Sequence, residues 1–219
     1  AYIEALFKYS FKDDNGVLFE SNLRLAFVTP TSKSNSFATT TSVREAYVLI
    51  KGIVKNKHDM SFWAGQRFYD RYDAHMNDFW YRDMSGFGGG FESLDLGGKA
   101  KLALAFLGGS IDQLQSNGNI QPENEFTLNK VTIDLSIYEI KIGFGHIGFT
   151  FDWSTFKGDS VVTDAGTYSI KTSNGLSASI FHEFSFQGGR NRLNLFYGVG
   201  AAENHKAIIQ QPIGLSPEP

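Results

Sequence analysis

The sequence predicts an all-β fold of successive antiparallel hairpins, on three observations. Apolar residues alternate with polar ones over long runs, and clusters of Gly, Asn and Asp separate those runs. The 23 glycines and 15% aromatic content suit pleated sheet with tight turns. No helical segment, heptad run or repeat of fixed sequence interrupts the pattern. The 219 residues fit one all-β domain, for which about 200–250 residues is ordinary.

The first strand runs from Tyr2 to Phe11. Ile3, Ala5, Phe7, Tyr9 and Phe11 fall on one face, and Tyr2, Glu4, Lys8 and Ser10 fall on the other with Leu6. Asp13-Asp14-Asn15-Gly16 supplies a tight turn from residues that tolerate positive φ. Val17 to Val28 returns, with Val17, Phe19, Leu23, Leu25 and Phe27 on one face. A second hairpin joins Val131–Ile137 to Ile147–Trp153, where Ile147, Phe149, Phe151 and Trp153 oppose Gly148, Thr150, Asp152 and Ser154. A third flanks a loop at Gln187–Asn191 with Leu176–Phe186 and Arg192–Val199.

Short turns alternate with long polar connections at Thr29–Ser42, Gly108–Glu125 and Gly158–Tyr168, so one rim of the sheet is short-looped. Strands of about 9–11 residues, apolar on one face, with short turns at one rim and long loops at the other, fit a transmembrane barrel. A soluble β-sandwich gives the same alternation, because a period of two does not say whether the apolar face meets lipid or a core.

Composition removes several functions. The formal net charge of −3 and the lack of a basic block speak against nucleic-acid binding. With no cysteine there is no disulfide, thiolate metal site or cysteine nucleophile. His58, His75, His146, His182 and His205 lack metal-ligand spacing, so neither a metal nor another cofactor is expected. The N-terminus lacks a basic region followed by an apolar stretch, and no run approaches the roughly 20 apolar residues of a membrane helix. Gly86, Gly88, Gly89 and Gly90 are not followed by the Lys-Ser/Thr of a phosphate loop and are read as bulges or points of close approach. Trp63 and Trp153 suit either an interfacial girdle or packing.

The most chemical stretch is Trp63 to Asp83, WAGQRFYDRYDAHMNDFWYRD, which crowds aromatic rings among alternating Arg and Asp. Sugars present C–H faces to such rings and hydroxyl edges to such charges. Asp73 and Asp78 could also serve as the acid and base of a glycosidase. Beside Arg71 and Arg82, however, they read as members of a salt-bridged network, and no catalytic residue is assigned.

Trp63-Ala64-Gly65-Gln66-Arg67-Phe68-Tyr69, the Arg-Tyr-Asp-Ala-His run from Arg71, Asp78-Phe79-Trp80-Tyr81 and the closing Ser85-Gly86 resemble the maltoporin family of sugar-selective outer-membrane porins. Gly88 to Gly97, Tyr2-Ile3-Glu4, Ser42 to Ala46 and, more loosely, the hairpin around Gly188 extend the resemblance over most of residues 1 to 205. It implies an antiparallel transmembrane β-barrel of about 18 strands, in the range of water-filled porins. It also implies a homotrimer in the bacterial outer membrane, in contact with outer-membrane lipid, that passes maltodextrin-like oligosaccharides.

By the same resemblance Tyr2 and Trp80 match aromatic slide positions, and Glu4, Arg44, Arg71, Asp73 and Asp78 match a polar track. Trp80 stands where the family commonly has Tyr, and Arg190 occupies a slide position that is apolar in the family. The expected organisation is a barrel region over residues 1–205, with an inward constriction loop at about 70–84, and a tail over 206–219. About 9–10 spanning strands fit in this length, roughly the N-terminal half of such a barrel. That count leads to the expectation of a piece of a longer porin or a divergent short relative. The alternative function is a soluble or surface β-sandwich that binds glycans without transport.

Overall fold

The structure, a computed structural model, describes residues 2–28, 40–73, 80–111, 128–158, 160–163, 166–169, 171–203 and 207. Ten strands form one antiparallel sheet in chain order: β1 (Tyr2–Lys12), β2 (Leu18–Val28), β3 (Thr40–Lys51), β4 (Ser61–Arg67), β7 (Gly86–Asp95), β8 (Lys101–Ile111), β9 (Leu128–Lys141), β10 (His146–Phe156), β13 (Ser173–Phe186) and β14 (Gly189–Val199). Two small hairpins are inserted. β5 (Arg71–Asp73) pairs with β6 (Trp80–Asp83) between β4 and β7, and β11 (Ser160–Thr163) pairs with β12 (Gly166–Ser169) between β10 and β13.

The first hairpin forms as its alternation predicts, with Tyr2 opposite Val28 and Lys12 opposite Leu18. Its turn is held by Asp13, whose Oδ1 accepts from the Val17 N–H at 2.7 Å and the Asn15 N–H at 3.0 Å, while Gly16 takes φ +86°. The later hairpins also form, with two boundary corrections. The β13–β14 turn is only Gln187-Gly188, both at positive φ, so Gly189–Asn191 belong to β14. The long connections are shorter than they read: β3 begins at Thr40, β8 continues through Gly108 to Ile111, and the 158–168 stretch carries β11 and β12. In the first two cases the ladder outlasts the apolar alternation, so polarity alone places the strand end too early; in the third a separate short hairpin forms within the connection. Residues 29–39 and 112–127 lie outside the described residues.

Burial is inverted relative to a water-soluble sheet. On one face Thr132, Asp134, Ser136, Thr150, Asp152 and Ser154 are buried. On the other, Ile3, Phe7, Phe106, Phe151 and Leu195 are exposed, Leu195 at 75%. Beyond the two short hairpins, the described residues hold no second sheet that could cover this apolar face. Such a surface, continuous over ten strands, is stable against hydrocarbon and not against water. The soluble-sandwich alternative has no support from this arrangement. Trp63 is buried on the polar side against Tyr69, and Trp153 is exposed on the apolar side.

At the base of the β5–β6 hairpin the polar face carries a small apolar cluster. Ala105 and Leu107 on β8 are buried against Tyr69, Met84 and Ala207. On β7, the glycine run keeps a continuous register from Gly86 to Phe91, so it is a close approach and not a bulge; the irregularity falls later, between Phe91 and Leu94. A Cβ at Gly88 would stand 1.9 Å from the Phe106 carbonyl oxygen, and one at Gly90 would stand 2.2 Å from that of Leu104. Gly88→Val is therefore expected to lower stability by about 1–3 kcal/mol through overpacking against backbone. Denaturant titration of the folded barrel, read by its heat-modifiable gel mobility, would show it.

Candidate functional site

The site grows from the polar face of β1 to β4. Arg24 on β2 lies directly opposite Glu45 on β3 and bonds it through Nε at 2.6 Å, while its Nη1 reaches Glu4 on β1 at 3.1 Å. Farther along, Arg67 on β4 forks onto Glu92 of β7 at 3.1 and 3.2 Å. Opposite charges thus alternate across neighbouring strands, each in hydrogen-bond contact with the next within its group.

A register shift between Arg24 and Leu25 leaves Arg44 as the extra residue of β3. The bulge turns Arg44 to the same side as Glu45, where its Nε stands 3.6 Å from Glu4. Tyr2 lies on this face as well, and its hydroxyl donates to the Glu4 carboxylate. Tyr2, Glu4 and Arg44 are thereby brought together.

Phe68, just past β4, connects this group to the inserted hairpin. Its N–H donates to Glu45 Oε1 at 3.2 Å. Its ring is faced by the guanidinium groups of Arg71 at 4.5 Å, Arg44 at 5.4 Å and Arg24 at 5.7 Å. Arg71 also pairs with Asp83 at 3.3 Å across the β5–β6 ladder. A cavity of about 450 Å³ opens here, lined by Arg44, Gln66, Arg67, Phe68, Arg71 and Asp83 among others. Asp73 and Trp80 face each other in the β5–β6 register, which sets their backbones at the hairpin tip. Their side chains, together with Asp78, lie outside the described residues.

The hairpin crosses the polar face, and among the described residues its Arg82 and Tyr72 side chains are fastened there. Arg82 on β6 is buried and donates to Asp70, to Asp134 on β9, and through Nη1 and Nη2 to Asp152 on β10 at 2.9 and 3.2 Å. Ser177 donates to Asp152 at 2.7 Å and Ser136 to Asp134 at 3.2 Å, so the carboxylates receive hydroxyl bonds as well. Burial works against the Arg82 charge, but Asp70, Asp152 and Asp134 outweigh it and hold the guanidinium protonated well above its ordinary value. Farther over, Arg192 of β14 lies 3.6 Å from the centre of the Tyr72 ring and 3.8 Å from that of Phe181, and pairs with Glu183 at 2.9 Å. Burial pushes the Tyr72 phenol up to about 12.

Ala207 belongs to the stretch read as a tail. It is buried on the same face, and its N–H donates to the Asp83 carbonyl at 3.0 Å.

Phe68, Arg24, Glu45, Arg82, Asp134 and Asp152 are parts of this face that were not assigned to the site from sequence. Asp134 and Asp152 carried a readable signal: each is a lone carboxylate in mid-strand, on the Ser/Thr side of a strand whose other side is apolar. Phe68 carried none, since its neighbours come from three separate segments.

The LamB porin family matches residues 1–215 of the chain. A maltoporin of Photobacterium profundum is 40% identical over 83 residues, a match that covers 38% of this chain and 18% of that protein. The chain thus aligns with less than two thirds of that relative's length. An inside-out antiparallel sheet, an aromatic and charged inner face, and a family match over nearly the whole chain agree: this chain belongs to the LamB porin family, whose members are bacterial outer-membrane β-barrel channels and not enzymes.

Proposed function

We propose that this chain forms part of the wall of an outer-membrane channel for passive diffusion of maltodextrin-like oligosaccharides, assembled as a homotrimer. One observation carries the reading. The polar face of a sheet whose other face suits lipid holds exposed Tyr2 beside a graded set of Glu and Arg side chains and the Arg-ringed Phe68. In this reading the segment at about 70–84 is the constriction, and residues 1–205 form the barrel region. Tyr2 and Trp80 stack on sugar rings, while Glu4, Arg44, Arg71, Asp73 and Asp78 exchange hydrogen bonds with the hydroxyls as the chain advances.

Passage requires several weak contacts and not one tight site. A base stacked on an aromatic platform contributes about 1–3 kcal/mol, and a sugar ring on Trp80 is expected to fall at the lower end of that range. Trp80→Ala should therefore weaken maltooligosaccharide block of the channel about tenfold, the factor set by about 1.4 kcal/mol, with a much smaller change in ion conductance. Single-channel recording in a planar bilayer, titrated with sugars of increasing length, measures both. A wild-type channel that no sugar blocks would overturn the proposed function, and an unchanged block in Trp80→Ala would remove Trp80 from the slide.

A further inference from the structure

We infer that Arg82 is a positioning residue that sets the aperture of the pore by tying the β5–β6 hairpin to the inner wall; this rests on the reading of that hairpin as the constriction. The hairpin leaves the sheet after β4 and re-enters at β7, yet Arg82 bonds to Asp134 on β9 and Asp152 on β10, so it reaches past β7 and β8. The two partners are 52 and 70 residues away along the chain.

Arg82 does not fit the role of a sugar ligand. Its Nε, Nη1 and Nη2 are all engaged by carboxylates, and the residue is 1% exposed. Arg44, by contrast, has a side chain 42% exposed and only a loose pairing with Glu4. A fork of five donors in fixed geometry suits the first task, since one guanidinium can hold carboxylates from the hairpin base and from two wall strands at once. Removing Arg82 therefore acts on sugar only through the position of the hairpin.

The second attachment, Tyr72 against Arg192, is a guanidinium over a ring face with a hydrogen bond to the phenol; it is a single contact to β14, whereas the Arg82 fork grips two wall strands at once. Met84 and Asp83 follow Arg82 directly and carry backbone ties, from Met84 N–H to the Tyr69 carbonyl at 3.1 Å and from Ala207 N–H to the Asp83 carbonyl at 3.0 Å. Both ties hold the base of the hairpin. Arg82 connects it to β9 and β10 by side-chain hydrogen bonds.

The test is planar-bilayer recording of the intact porin with wild type, Arg82→Gln, Arg82→Lys and the triple variant Arg82→Gln/Asp134→Asn/Asp152→Asn. The triple variant removes both wall carboxylates together with the cation, so it avoids the uncompensated buried charge that destabilises the single variant. The expected result is a larger open-channel conductance with added current noise, and maltoheptaose block weakened on the order of tenfold, in both glutamine variants. Arg82→Lys, which keeps the charge and loses the fork, should fall between them and wild type. Folded glutamine variants with wild-type conductance, noise and block would overturn the inference. If wild type shows no sugar block but conductance still rises in the variants, the sugar reading fails and the aperture role stands.

Discussion

Replacing Arg82 with Met is expected to release the β5–β6 hairpin from the wall at a cost of about 3–5 kcal/mol, the usual result of removing one partner from a buried charge cluster. The reasoning is one of charge balance. Arg82 bonds three carboxylates, Asp70, Asp134 and Asp152, two of them almost fully buried, and the buried Lys130 of β9 also acts on Asp152, which leaves one negative charge in excess. Without the cation, Asp134 and Asp152 repel each other across the β9–β10 ladder, where they stand directly opposite, and their hydroxyl donors do not replace a charge. The converse substitution is milder. Asp152→Asn leaves Arg82 with two carboxylates and reduces the excess of negative charge, so its cost should stay within about 1–2 kcal/mol, the scale of lost charged hydrogen bonds. The loss in Arg82→Met is relieved by lifting the hairpin into water, so amide exchange at Met84 reports it before global unfolding does. Equal protection of Met84 in Arg82→Met and Asp152→Asn would contradict this charge-balance account.

How much of this was legible in the sequence differs from one part to the next. β1, β2, β9, β10, β13 and β14 could be read because their apolar alternation is strict and their turns are short and rich in Gly, Asn or Asp. β7 was harder, since Gly88, Gly89 and Gly90 have no side chain with which to show a period. The faces of Tyr2 and Glu4 followed from alternation alone. Arg44 did not, because Arg44 and Glu45 are adjacent and simple alternation would send one of them outward; only the bulge turns both inward. The grip of Arg82 on Asp134 and Asp152 was not legible, because it depends on where a hairpin lands after crossing two strands. Motif spacing carries local contacts, whereas this one is set by sheet order.

The inverted burial of the sheet makes its own demand, and Phe151→Arg tests it. Phe151 is at the middle of β10, on the apolar face, opposite Leu135 on β9 and Ala178 on β13, and 51% exposed. In water an arginine at a half-exposed position is close to neutral, and it would even improve solubility. In lipid the same change puts a charge at mid-depth, where it costs about 2–4 kcal/mol, falling to about 0–1 kcal/mol near the interface. Phe11, on the same face one residue before the end of β1, lies at the short-turn rim beside Lys12 and Asp13 and is 55% exposed. Phe11→Arg should therefore cost little while Phe151→Arg costs much, although the two phenylalanines have nearly the same exposure. Unfolding in lipid vesicles by guanidinium gives both values. A soluble sheet predicts a much smaller difference, limited to the packing of Phe151 between Leu135 and Ala178 where Phe11 has Phe19 alone beside it. Equal costs would place the apolar face against water or protein, and with it would fall the assignment of the opposite face to the lumen, on which every sugar contact proposed for Tyr2, Glu4 and Arg44 depends.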